Sequence, residues 1–185
     1  MNDSPSDEEA IARVLDGDTE AYSTLVRRHR SKVMRVGMSF FRDEDEAADF
    51  AQDVFIKAYS ALGSFQGKSR FSTWLLRIAY NAAVNAKKRR REVQRLDPEA
   101  ELPGAPGADV SHSREDAARI VRDAVAGLPP RQALCVELCF YYDMKYAEIS
   151  EITGFPVNTV KSHVFRAKRL LRRRLAEAKE AMDAL

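Results

Sequence analysis

Arg77, Asn81, Asn85 and Lys88 recur along one stripe of a single predicted helix. Asparagine in a helix interior is disfavoured by roughly half a kcal/mol relative to alanine, so two of them between cations invite a use. Amides that hydrogen-bond base edges supply one, with Arg77, Lys87, Lys88 and Arg89 neutralising phosphates. A tolerated solvated surface accounts for the same residues, since asparagine is mostly exposed. The short loop before this helix, FQGKSRF, sets Phe65 beside Lys68 and Arg70. Aromatics next to a cationic groove are what stacking on unpaired bases requires, although Phe71 and Trp74 fit a core equally well.

A second constellation lies between residues 146 and 174. Ile149, Ser150, Ile152, Gly154, Phe155 and Val160 have the spacing of a helix-turn-helix, with Gly154 in the turn and Pro156 near the start of the second helix. Val157, Val160, Val164, Ala167 and Leu171 form the inward stripe; Asn158, Lys161, Ser162, Phe165, Arg166 and Arg169 face outward. A phenylalanine between cations suits contact with a thymine methyl, so this face reads as a major-groove reader. Arg169 and 172–174 suit phosphates, and His163 is expected as a phosphate contact or a surface residue. Thr153 stands where an aliphatic residue is usual and is expected to loosen the packing.

The third constellation is a helix from Asp45 to Leu62. Ala47, Ala48, Ala51, Val54, Phe55, Ala58 and Leu62 make its core stripe, while Asp49, Gln52, Asp53 and Ile56 share another face. A solvated flank explains the acids and leaves Ile56 unexplained. Periodicity alone leaves a binding face and a solvated flank equally open.

The elements that must carry these residues are helical. The 3.6-residue period runs from Asp7 to Arg91, and Ser72 is the expected N-cap of the helix bearing Trp74, Leu75, Ile78, Ala79 and Ala82 inward. Residues 92–113 hold Pro98, Pro103, Gly104, Pro106 and Gly107 without a period, as a linker does. Helical patterns resume near Arg114, broken at Leu128-Pro129-Pro130. The expectation is an all-α chain of two small helical domains, 1–91 and 114–185, joined by a flexible linker, 92–113.

Net charge is only +2, but it is segregated. Residues 1–20 hold seven acids against Arg13, and residues 21–91 hold 15 Lys or Arg against six acids, a balance of +9. A polyanion partner for the middle of the chain follows, nucleic acid being the commonest. No apolar run approaches the roughly 18 residues of a membrane span, and the acidic N-terminus MNDSPSDEEA lacks a signal peptide's features, so a soluble cytoplasmic protein without membrane insertion is expected. Cys135 and Cys139, at i and i+4 in an apolar run, suit one buried helix face better than a disulfide or a metal site. His29, His112 and His163 fit no ligand spacing and no glycine-rich phosphate loop is present, so neither enzyme, metal nor cofactor is expected.

DEDEAADFAQDVFIKAY, FSTWLLRIAYNAAVNAKKRR and YAEISEITGFPVNTVKSHVFRAKRLLRRR, in that order, resemble the extracytoplasmic-function (ECF, group IV) sigma factors of bacterial RNA polymerase, in the sigma-70 family. The likeness covers about Ala21–Arg91 and Ala118–Leu175. It implies sigma region 2 followed by region 4. Asp49, Gln52 and Asp53, with Phe55 behind them, would dock on the clamp helices of core RNA polymerase. Phe65, Lys68, Arg70, Arg77, Asn81, Asn85 and Lys88 would open the -10 promoter element and hold its unpaired strand, the cations of 87–91 gripping the backbone. The helix-turn-helix would read double-stranded -35 DNA, and an anti-sigma factor is an expected partner. TVKSHV is equally typical of LuxR-type regulators, so a DNA-binding regulator that is no polymerase subunit stays open as the alternative.

Overall fold

The computed structural model describes residues 5–96, 120–121, 124–125 and 127–183. Among them are seven α-helices and no strand: α1 (Asp7–Leu15), α2 (Tyr22–Phe41), α3 (Glu44–Ala61), α4 (Phe71–Leu96), α5 (Pro130–Phe140), α6 (Tyr146–Thr153) and α7 (Val157–Asp183). The chain divides into two compact units, Met1–Leu102 and Pro103–Leu185. All-α architecture in two small units agrees with the period and the proline-rich break.

Local chemistry sets the helix ends. At α1 the Ser6 hydroxyl accepts from the Glu9 amide and the Glu9 carboxylate accepts from the Ser6 amide, a reciprocal cap. At α3 Asp43 accepts from the Glu46 amide at 2.8 Å, and Glu44, Asp45 and Glu46 complement the helix dipole. Pro130 occupies the first position of α5, where a missing N–H costs nothing. α6 stops at Gly154, whose φ of +72° lies in the left-handed region that glycine enters without strain.

In the first unit α2, α3 and α4 bury Leu25, Val33, Val36, Val54, Leu75 and Leu76 between them. The stripe expected on α3 is the buried one, apart from half-buried Ala48, and Phe50 joins it. Gly37 on α2 lets α3 come close: a Cβ there would lie 3.0 Å from both Cα and Cβ of Ala47. In the second unit Leu128, Ala133, Val136 and Ala167 form a core cluster with Val125, Leu170 and Leu171 packed against it.

Several details differ from expectation. α4 begins at Phe71, because the Arg70 carbonyl rather than the Ser72 hydroxyl receives the first amides, those of Thr73 at 3.0 Å and Trp74 at 3.2 Å. Its buried surface is wider than one stripe: Leu76, Tyr80 and Ala83 are buried, while Ile78 and Ala82 are half-buried, since α4 packs on both α2 and α3. The same helix runs through 92–96, into the stretch expected as linker, because its first breaker is Pro98. The rest of that stretch lies outside the described residues. Val157, placed in the inward stripe of α7, is exposed, as it opens the helix one turn before Val160 reaches the core. Thr153 does not loosen the turn: it is buried, its hydroxyl donates to the Ile149 carbonyl at 2.7 Å and accepts from the Phe155 amide at 3.3 Å. Cys135 is buried and Cys139 half-buried, both as free thiols, and burial pushes Cys135 up to about 12.

Candidate nucleic-acid interface

On α4, Arg77, Asn81, Asn85 and Lys88 are all exposed along one side of the helix. The loop before it turns at Gly67, φ +66°, leaving Lys68 and Arg70 in solvent. Phe65 is half-buried. Its ring lies 5.4 Å from Trp74 and 5.8 Å from Phe71, in the edge and tilted arrangements that aromatic quadrupoles favour. Phe71 and Trp74 are buried beneath it, so the loop rests on an aromatic floor. One cation of the basic tract is engaged elsewhere: Arg90 pairs with Glu46 of α3 at 2.8 Å and lies over the Phe41 ring. Arg90 therefore leaves the set expected to grip a backbone.

On α3, Asp49, Gln52, Asp53 and Ile56 are all exposed, Ile56 by 58%. Asp49, Gln52 and Ile56 line a groove of about 690 Å³ whose facing wall is Tyr22, Val26 and Arg30 of α2; Asp53 lies outside its lining. Phe55 closes the groove from behind, its carbonyl accepting from the Tyr22 hydroxyl at 2.7 Å. Tyr22 also sits edge-on to Tyr59, 4.9 Å away, and burial pushes its hydroxyl above the usual range. The α2 wall was invisible to a reading of α3 alone. Tyr59, three residues beyond Ile56 and exposed, was the signal available in sequence.

On α7, Asn158, Lys161, Ser162, Phe165, Arg166 and Arg169 all face solvent, Phe165 being 68% exposed. The Ser162 hydroxyl donates to the Asn158 carbonyl at 2.9 Å, one turn back. Behind this face the Ser150 hydroxyl donates to the Phe155 carbonyl at 2.6 Å, fixing the turn. The Phe155 ring carries His163 at 5.3 Å on one contact and the Arg131 guanidinium at 5.4 Å on another. Arg131 was not anticipated from sequence, and His163 is half-buried against that ring rather than freely exposed.

Comparison with known proteins assigns both units to one family. Residues 25–93 match the family model Sigma-70 region 2, and residues 118–171 match Sigma-70, region 4. The ECF RNA polymerase sigma-E factor of Escherichia coli K12 is 34% identical over 179 residues, 91% of this chain and 93% of that protein. The chain belongs to the ECF group of the sigma-70 family. This ECF sigma factor is also 32% identical over 173 residues to the RNA polymerase sigma-H factor of Pseudomonas aeruginosa, covering 88% and 90% of the two chains. Its fold matches RpoE of Bartonella quintana, solved in complex with the anti-sigma factor NepR, at a TM-score of 0.72 and 21% identity over 84% of this chain and 96% of that one. It matches CnrH, solved in complex with the cytosolic domain of CnrY, at 0.65 and 24% over 91% and 96%. The protein is thus an alternative sigma factor that directs transcription. A LuxR-type regulator is ruled out by the sigma region 2 that precedes the helix-turn-helix. Among the described residues no helix is long and apolar enough to cross a membrane.

Proposed function

We propose that this sigma factor docks on core RNA polymerase through Asp49, Gln52, Asp53 and Ile56, reads the -35 element with Asn158, Lys161, Ser162, Phe165, Arg166 and Arg169, and opens the -10 element with α4 and the loop before it. Residues 1–91, extended by the end of α4, act as region 2, and 114–185 as region 4. Phe65, Lys68 and Arg70 hold a base extruded from the non-template strand, while Arg77, Asn81, Asn85 and Lys88 hold its backbone and neighbouring base edges. Extruding a base costs a few kcal/mol, and a preformed aromatic floor with phosphate contacts offsets that. The protein catalyses nothing by itself; it works in the cytoplasm by binding, and an anti-sigma factor withholds it from polymerase.

The observation that supports this reading best is the exposed asparagine stripe beside an aromatic-floored, cationic loop. A protein that only grips duplex DNA has no use for such a surface. The test mixes the pure protein with core polymerase on fragmented genomic DNA and maps transcript 5′ ends. Initiation at a shared pair of elements is expected; random initiation, equal to core enzyme alone, would refute it.

A further inference from the structure

We propose that His29 is a positioning residue for strand capture: pinned to Asp7 of α1, its ring holds Phe71 and through Phe71 sets the loop from Phe65 to Arg70. The proposal rests on the reading of that loop as the pocket for an extruded base. It adds two residues, one on α1 and one on α2, that touch no DNA themselves.

The loop has two ends, and α1 stands behind both. At its entry the Phe65 amide donates to the Leu62 carbonyl at 3.0 Å, and the short turn Leu62–Ser64 that supplies this carbonyl packs against α1. At its exit lies Phe71, 1% exposed, whose ring meets Phe65 at 5.8 Å, Trp74 at 5.7 Å and His29 at 5.4 Å. Phe65 and Trp74 belong to the loop and to α4, the parts being positioned. Of these three rings only His29 stands on another helix, so it is the aromatic contact by which α2 locates the loop.

The imidazole can locate Phe71 because it cannot turn. Its Nε2 lies 2.8 Å from Oδ2 of Asp7, while Nδ1 is buried without a hydrogen-bond partner among the described residues. The proton therefore sits on Nε2 and is donated to the carboxylate. A half-turn of the ring would set carbon against Asp7 and lose that bond. Asp7 is fastened in its turn: Arg28 pairs with its Oδ1 and also donates to the Pro5 carbonyl, and the reciprocal cap of Ser6 and Glu9 closes the helical turn in which Asp7 stands. An aliphatic side chain would fill the same buried space without a polar group to satisfy. Only a ring bonded at one edge fixes the angle at which another edge meets Phe71.

The test uses the full-length protein and cuts the bond from either side. His29→Phe keeps a ring against Phe71 and loses the donor, Asp7→Ala loses the acceptor, and Asp7→Asn keeps an acceptor and should restore the wild-type behaviour. The first readout is the loop itself. Trp74, the single tryptophan, lies 5.4 Å from Phe65, so acrylamide quenching of its fluorescence follows the packing of the loop, and hydrogen exchange of amides 65–70 follows its opening. Exchange there should quicken about tenfold in His29→Phe and Asp7→Ala, with the amides of α3 unchanged. The second readout is permanganate reactivity at a promoter mapped from transcript 5′ ends, which should fall about tenfold in the same two variants while they associate with core polymerase as wild type does. Val54→Ala, a cavity in the same core, is the stability control and should lower the urea midpoint without lowering promoter opening. Should His29→Phe not fold, the two Asp7 variants decide. Wild-type exchange at 65–70 in Asp7→Ala overturns the proposal, and so does a loss of opening in Val54→Ala equal to that in Asp7→Ala. Phe65→Ala is the control for the parent reading: if it opens DNA as wild type does, the loop is not the pocket and that reading fails. If Phe65→Ala is impaired and Asp7→Ala is not, the positioning role alone fails.

Discussion

Nε2 of His29, on α2, lies 2.8 Å from Oδ2 of Asp7 in the first turn of α1. His29 is 3% exposed, and its imidazole meets Phe71 edge-on at 5.4 Å. Asp7 also pairs with Arg28. The acidic first helix is therefore fastened to a ring that supports the aromatic floor under the Phe65 loop.

That fastening makes stability pH-dependent, with a definite sign. Burial lowers the pKa of His29, more than Asp7 raises it, and Lys32 and Arg28 act in the same direction as burial. The folded ring is neutral and donates from Nε2, whereas the unfolded ring takes up a proton near the ordinary value of about 6.5. Below that pH the unfolded state binds more protons, so stability falls as pH drops from about 6.5 through the lowered folded pKa. Trp74, the single tryptophan, reports this unit alone. Urea midpoints read from its fluorescence should fall between about pH 7 and pH 5.5 and do so less in His29→Gln. Equal pH dependence in the two proteins would remove His29 from the account.

Gly37 sets the approach of α2 to α3. Alanine there would gain roughly 0.5 to 1 kcal/mol of helix propensity, but its Cβ would meet Ala47 Cα at 3.0 Å and Phe50 at 3.1 Å. Backbone on the opposing helix cannot yield cheaply, and overpacking typically costs about 1 to 3 kcal/mol. Gly37→Ala should therefore lower the urea midpoint of the first unit. A gain in stability would show that α3 can shift without penalty.

The groove makes the docking prediction graded. Asp49 and Ile56 line it and Asp53 does not, so Asp49→Lys should abolish co-elution with core polymerase and Asp53→Lys should weaken it less. Ile56→Ala should cost about 1 to 2 kcal/mol of binding through lost apolar burial. All three variants should keep wild-type helicity by circular dichroism. Equal losses from Asp49→Lys and Asp53→Lys would mean that the groove is not the contact.

Much of this was readable from sequence wherever one helix carried its own evidence. The period of α3 gave its buried stripe because Ala47, Ala51, Val54 and Ala58 face one core. The period of α4 misled, since a helix packed on two neighbours buries more than one stripe, and Leu76 and Tyr80 went unassigned. Contacts between elements distant in sequence left no periodic trace. Tyr22 and Arg30 reach the groove across more than twenty residues, and Arg131 reaches Phe155 through a stacking contact that no spacing encodes. Thr153 was misjudged for a related reason: its hydroxyl finds partners one turn back and two residues on, which only the closed turn supplies.

Opening DNA is the step that separates this protein from a duplex reader, and Asn81 is the residue placed to report on it. It is exposed in the middle of α4, four residues from Arg77 on one side and from Asn85 on the other. Its helical environment gains nothing from asparagine, so alanine there should slightly stabilise the free protein, by about half a kcal/mol. Asn81→Ala should accordingly fold, assemble with core polymerase and locate the promoter. It should fail at melting, because the amide proposed to hold an unpaired base edge is gone while the cost of unstacking remains. A template already unpaired across the -10 element removes that cost, and much of the lost initiation should return on it. Permanganate reactivity of unpaired thymines measures the opening directly. Wild-type reactivity on linear promoter DNA would make Asn81 a bystander and leave strand capture to Phe65, Lys68 and Arg70.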